Sequence, residues 1–229
     1  MKKLVLLIVL LISWSINYGQ GNTETVTDVE GNVYKTVKIG TQTWMAENLK
    51  VTRLSSGEAL SEVQNKDLWE MYNYAGYCWY NNDVFFKNTY GALYNFIGID
   101  LQNKPEYGKR LTPKGWHVPS DEEWQVLINY LGGEKIAAAK MKEAGTDHWT
   151  TTNAETKNES GFTALPGGYR TNIMGIVKYM SVGEYAMFWS STKKDGKHVW
   201  SYWIKKDTNE ILKFPWSKYC GLSIRCVKD

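Results

Sequence analysis

Three cysteines, three histidines and an unusual supply of aromatic rings are the side chains of this 229-residue chain with chemistry to offer. Cys78, Cys220 and Cys226 contain no C-x-x-C pair and join no Cys/His cluster, which argues against a zinc site. In an oxidising compartment they are expected to make one disulfide and leave one thiol. Cys220 and Cys226 are too far apart to bridge each other along an extended segment, so Cys78 is expected to pair with one of them, with Cys226 preferred. The histidines offer less. His117 lies in a packing motif, His148 follows Asp147 in a turn and His198 precedes a strand, and none has H-E-x-x-H, G-x-S-x-G or Cys/His surroundings. Asp121, Glu122 and Glu123 stand together, but a helix start accounts for all three. No catalytic residue, metal ligand or cofactor is therefore assigned. Asn81, Asn82 and Asp83 carry oxygens of the kind that ligate calcium, yet these residue types also build turns on their own backbone, and the turn is the better account.

Aromatic residues make up 14% of the chain, 11 of them tryptophan, which serves either a loop-rich core or stacking on a flat ligand. For any single tryptophan the core is the commoner role. Residues 167–216 mix Tyr, Trp, Asn and Lys, and the candidate contacts there for a glycan or a protein surface are Tyr169, Arg170, Trp189, Trp200, Trp203 and Trp216. A contiguous exposed aromatic patch would favour binding; its absence would favour an envelope-associated structural protein with no discrete ligand.

These residues need a scaffold, and the clearest instructions for one lie at residues 114–133. Ser120 and Glu123 form a capping box; Trp124, Leu127, Ile128 and Leu131 repeat at helical spacing, and Gly132-Gly133 supplies the stop. Trp116 and Val118 make a short extended lead-in. A second helix is expected over residues 134–143. Upstream, alternating apolar positions between residues 25 and 46, broken by Glu30-Gly31-Asn32 and Gly40-Thr41, predict a hairpin or three-stranded meander. Residues 50–70 read as a loop with one short helical turn, and residues 91–96 lead into a helix running toward Asp100. Residues 161–170 predict a strand, a Pro-Gly-Gly turn and another strand; residues 188–192, 198–204 and 222–227 predict three more. A strand that ends the chain needs partners already in place, which argues for one domain whose tail returns to an earlier sheet.

Lys2 and Lys3 precede an apolar run over residues 4–12, the layout of a secretory leader over residues 1–20 and too short for a bilayer-spanning helix. Removing those two lysines takes the formal charge from +3 to about +1, with no block of like charge, which excludes nucleic acid as an expected partner. The expected location is outside the cytoplasm, secreted or at the cell surface, with the periplasm as an alternative and no membrane span after cleavage.

Seven segments, taken in order, resemble one family. They are Trp44-Met45-Ala46-Glu47-Asn48-Leu49, Tyr77-Cys78-Trp79-Tyr80-Asn81-Asn82, Tyr90-Gly91-Ala92-Leu93-Tyr94-Asn95, residues 115–124, residues 158–170, Trp189-Ser190-Ser191-Thr192 and Ser223-Ile224-Arg225-Cys226. Together they are similar to the Fibrobacter succinogenes major paralogous domain, over residues 25–229. The resemblance implies an exported protein of a Bacteroidetes-type bacterium. It also implies an α+β, C-type-lectin-like fold, with a twisted antiparallel sheet flanked by two helices and long loops, distantly similar to formylglycine-generating enzymes. Those enzymes need a copper-binding cysteine pair that Cys220 and Cys226 do not match, so the resemblance implies a non-enzymatic recognition or adhesion module. Many members carry a cysteine before the Gly-Trp-His motif where this chain has Leu111-Thr112-Pro113-Lys114, which leaves Cys226 with Cys78 or as a free thiol.

Overall fold

The computed structural model describes residues 24–64, 69, 75–104, 108–151 and 156–229. The leader expected over residues 1–20 lies outside the described residues. No helix among the described residues is long and apolar enough to cross a membrane.

The expected meander is present as β1 (Thr25–Thr27), β2 (Val33–Ile39) and β3 (Gln42–Met45). Its first turn is tied by Asp28, whose carboxylate accepts hydrogen bonds from Glu30 N, Asn32 N, Asn32 Nδ2 and the Tyr34 hydroxyl. Along β2, Tyr34 and Thr36 are buried on one face, while Val37 and Ile39 on the other pack against a second core cluster, so the strand has a core on both sides. Later, β4 (Ser61–Glu62), β5 (Gly76–Cys78) and β6 (Leu93–Tyr94) make a small mixed sheet, with α1 (Lys87–Tyr90) and α2 (Phe96–Asp100) on either side of β6 in sequence. β7 (Trp116–His117) leads into α3 (Asp121–Tyr130), which is followed at once by α4 (Glu134–Met141).

Both halves of the capping box of α3 are formed: Ser120 Oγ accepts from Glu123 N at 3.2 Å, and Glu123 Oε2 accepts from Ser120 N at 2.8 Å. The helix buries Trp124, Leu127 and Ile128 and stops at Gly132, whose φ of +105° is costly for any residue with a side chain. Just past α4, Lys142 is wholly buried and donates to the carbonyls of Lys206 and Thr208 at 3.1 and 2.6 Å. Burial pulls its amine down to about 8.

The remaining strands are β8 (Gly167–Ile173) and β9 (Ile176–Val182), a hairpin, then β10 (Tyr185–Lys193), β11 (His198–Lys205) and β12 (Ile211–Ser217), an antiparallel sheet. β13 (Val227–Lys228) slots between β3 and β7, placing Val227 opposite both Trp44 and His117. The chain's tail thus closes the sheet begun by its first strands, in the order β1-β2-β3-β13-β7.

Among the described residues the strands fall into four sheets rather than the one expected. Gly167-Gly168 is not a turn but the start of β8. A side chain at Gly168 would put its Cβ 2.4 Å from Met180 O and 2.8 Å from Tyr80 Cε2, so the glycine is there to let strands and ring approach. Within residues 222–227 only the end is a ladder strand; Leu222 and Ser223 make single bridges to Tyr94 and Phe188, so the segment threads between sheets. β9 and β12 have no counterpart in the sequence reading.

The Cys78–Cys226 disulfide is not formed: both are buried thiols, and Cys220 is buried as well. The two cysteines occupy different parts of the interior, Cys78 with Val63, Trp69 and Leu93, Cys226 with Tyr34, Met45 and Leu49. Burial pushes the Cys78 thiol up to about 12 and that of Cys226 higher still, so both behave as small apolar groups.

Candidate functional site

Strand β11 has a core on either side. Along it, Tyr202 and Ile204 face α3 and α4, where Trp124 stacks on Tyr202 with ring centroids 4.8 Å apart. Val199, Ser201 and Trp203 face the other way, as period-two alternation requires. Strand register brings Leu212 opposite Trp203, Phe214 opposite Ser201 and Trp216 opposite Val199, so those three of β12 share that second face. Pro215 fits because β12 is an edge strand.

On this face Trp203 meets Trp216 edge to face at 4.7 Å and Phe214 at 5.1 Å, with Tyr185 at 6.2 Å. Its indole N–H donates to Ser201 Oγ at 2.8 Å, and that hydroxyl donates to Phe214 O at 2.9 Å, so the ring is locked. Trp216 in turn meets Tyr169 of β8 at 5.8 Å. Burial raises the Tyr169 phenol above its usual value, and the phenol donates to Met180 Sδ at 3.5 Å. Tyr169 lies opposite Met180, Thr171 opposite Lys178 and Ile173 opposite Ile176, all on one face of the hairpin. The aromatic face of the three-stranded sheet therefore runs on into this hairpin face, where the Thr171–Lys178 pair lies between Tyr169–Met180 and the apolar Ile173–Ile176 end. Exposure rises along it: Phe214 is 44% exposed, Ile173 45%, Ile176 58% and Met174, at the hairpin tip, 97%.

Three of the six expected contacts, Tyr169, Trp203 and Trp216, come together here. Two are corrected. Trp189 is fully buried with its N–H on Tyr94 O at 2.8 Å, and Arg170 is buried with its guanidinium 3.9 Å from the Trp69 ring centroid. Trp200 projects from the opposite face of β11, where Lys213 Nζ lies 4.3 Å over its ring. Tyr185, Ile173, Ile176, Met180 and Phe214 were missed. Their signals were present as alternation in Leu212, Phe214 and Trp216, and as Ile173 and Ile176 bracketing a Met-Gly turn.

Each histidine is held by carboxylates: His117 by Glu123 and Asp229, His148 by Glu143 and His198 by Asp195. Among the described residues no serine or cysteine is hydrogen-bonded to any of these rings. Asp83 accepts from Phe85 N, Asn82 Oδ1 accepts from the Tyr179 hydroxyl, and Asn81 and Asn82 both have φ of +54°, so this trio builds a turn. No group of three His, Cys, Asp or Glu side chains among the described residues is placed to hold a metal.

The family model for the Fibrobacter succinogenes major domain matches residues 37–228. The chain belongs to that family. No curated protein and no solved structure matches it. Within this Fibrobacter succinogenes major domain, the seven motif segments mostly build the interior: Trp44, Tyr94, Trp124, Phe162, Trp189 and Arg225 are all buried. The exposed face is drawn from between the motifs. Ile173, Met180, Trp203, Phe214 and Trp216 lie outside all seven segments, and Tyr169 is the one residue of the face that lies within them.

Proposed function

We propose that this protein is an exported, non-enzymatic recognition module of C-type-lectin-like build that docks a protein surface on the face formed by Tyr169, Trp203, Phe214 and Trp216 together with the β8–β9 hairpin. The observation that carries the reading is the continuity of that face: locked rings at one end pass into exposed Ile173, Ile176 and Met174 at the other. Rigid aromatic anchors flanked by adaptable aliphatic groups are what protein interfaces are enriched in. A glycan platform needs ring faces turned to solvent, whereas here the two indoles pack edge to face and the most exposed groups are aliphatic. That favours protein over sugar as the ligand class.

The test is an array of bacterial and host surface proteins and of glycans, probed with purified protein and with Ile173→Asp and Trp216→Ala variants. Saturable binding to a protein, lost in both variants while circular dichroism is unchanged, is expected. Binding to glycans alone, or protein binding indifferent to both variants, would sink the reading.

A further inference from the structure

Away from the aromatic face, and sharing no residue with it, a cavity of about 380 Å³ opens between the loop after β3 and the α1 segment. That is within the size range of small-molecule sites. Its inner wall includes Asn48, a buried side chain whose Oδ1 accepts from Arg225 Nε at 3.0 Å and Nη2 at 2.7 Å. Asn48 Nδ2 donates to Tyr90 O and to Ser223 Oγ, so the amide is held in one orientation. Arg225 is buried behind it and donates further to the carbonyls of Met45, Phe162 and Thr163, with the Phe162 ring 4.4 Å from its guanidinium. Every one of these acceptors is neutral. Buried cations are ordinarily paired with an acid; this one is solvated by carbonyls and an amide, and Glu47, which bonds none of its N–H groups, offsets its charge only through space. Burial pulls the guanidinium down to about 9, and it remains a cation at neutral pH.

Three further cations line the same cavity: Lys35, Lys50 and Lys87. Lys50 Nζ lies 5.8 Å from the Tyr34 ring centroid and Lys87 Nζ 5.4 Å from that of Trp79, and none of the three is salt-bridged among the described residues. Of the acids nearby, Glu143 is engaged by His148, while Glu47 stays on the cavity wall as a negative charge set against the three lysines. Glu47 Oε2 accepts from Lys35 N at 2.7 Å, and Glu143 holds His148 Nδ1 with both oxygens. Gly91, with φ of +73°, lets the two loops touch: a Cβ there would sit 2.7 Å from Leu49 O, and Ala92 N donates to that same carbonyl. This close pass brings Lys50 and Lys87 to one opening.

We propose that this cavity is a binding site for an oxyanion, a carboxylate, sulfate or phosphate group carried on a molecule no larger than a monosaccharide. Lys35, Lys50 and Lys87 contact the anion, and Arg225 adds its field from behind Asn48, in a partly enclosed site where charges are screened less than in open water.

The experiment measures thermal shift and calorimetric binding of purified protein with inorganic phosphate, sulfate and galacturonate, at constant ionic strength set with chloride and with neutral galactose as control. At least one oxyanion should bind saturably and raise the melting temperature while galactose does nothing, and which one binds identifies the source of the charge. Lys50→Gln and Lys87→Gln should each weaken it about tenfold, as loss of one charge-assisted contact implies, and Lys87→Arg should restore it. Both lysines are half-exposed, and circular dichroism of each variant checks that the fold is kept. Phe214→Ala should leave the anion affinity unchanged, which separates this site from the protein-docking face. Absence of saturable binding by all three oxyanions, or equal binding by a Lys50→Gln, Lys87→Gln double variant, overturns the proposal.

Discussion

The two faces of strand β11 use the same kind of residue for opposite ends. On the helix side Tyr202 is sealed beneath Trp124, which also meets Trp44 at 5.0 Å and Phe188 at 5.6 Å. On the other side Trp203 and Trp216 make equally close ring contacts, but only part of each ring is covered and Phe214 beside them is open to solvent. Ring pairing is thus no guide to whether an aromatic is structural. What differs is the next layer. Helix α3, with its capping box, and α4 cover one face, while the other is continued by a two-stranded hairpin that stops short of covering it.

The sharpest way to break this contrast is from the sealed side. Trp124→Ala removes the ring that joins Trp44, Phe162, Phe188 and Tyr202, and the rigid surrounding rings cannot collapse into the space. A loss of roughly 3–5 kcal/mol is expected, a large part of the roughly 5–15 kcal/mol that holds a domain folded. Urea unfolding followed by fluorescence measures it. A loss below about 1 kcal/mol would mean the two faces are not energetically different.

A smaller effect, confined to the same side, comes from His117. Its ring bridges Glu123 Oε1 at 2.8 Å and Asp229 Oδ1 at 2.7 Å, tying the start of α3 to the residue after β13. The Glu123 hydrogen bond raises the imidazole above its ordinary 6.5, burial opposes it, and Asp229 adds to the rise. A raised folded-state value means the folded protein holds the proton more tightly than the unfolded chain. The stabilisation is therefore complete below about pH 6.5 and is lost as pH climbs through the folded value. Glu123 acts at the acid end: burial pushes its carboxyl up, but His117 and the Ser120 hydrogen bonds outweigh burial and hold it below its ordinary value. Melting temperature followed from about pH 5.5 to 8.5 should fall more steeply in the wild type than in His117→Gln. Parallel curves would show that this tie contributes nothing.

The sealed side was also the legible one. Ser120, Glu123 and the spacing of Trp124, Leu127 and Ile128 act within one turn or two of each other, so α3 could be read directly, and so could the meander over residues 25–46. The closing strand was foreseen because a terminal strand must find partners. Residues whose roles depend on distant segments were not legible. Trp189 and Arg170 are candidate contacts in sequence, where each is singly more at home in a core; it is Tyr94 and Trp69, far off in the chain, that bury them. The Cys78–Cys226 pairing failed for the same reason, since the sequence does not say that the two thiols lie in separate parts of the interior. Met180 has no periodic neighbours to announce its strand, and the short alternation of Leu212, Phe214 and Trp216 does not say what it faces; each becomes part of a face only through register with β8 or β11.

The smallest stability effect should come from the open side and is the most informative about function. Phe214 touches Trp203 but leaves nearly half of its surface in water, so Phe214→Ser removes little burial and strands no donor or acceptor, the Ser201 hydrogen bond being to its backbone. A change within about 0.5 kcal/mol is expected from urea unfolding, as for an ordinary surface position. Binding to a protein partner should nevertheless fall by at least tenfold, since an aromatic at the edge of a docking face counts fully only when a partner excludes water from it. A stability loss comparable with that of Trp124→Ala would reassign the open face to the core, and with it the reason to treat this side of β11 as a recognition surface.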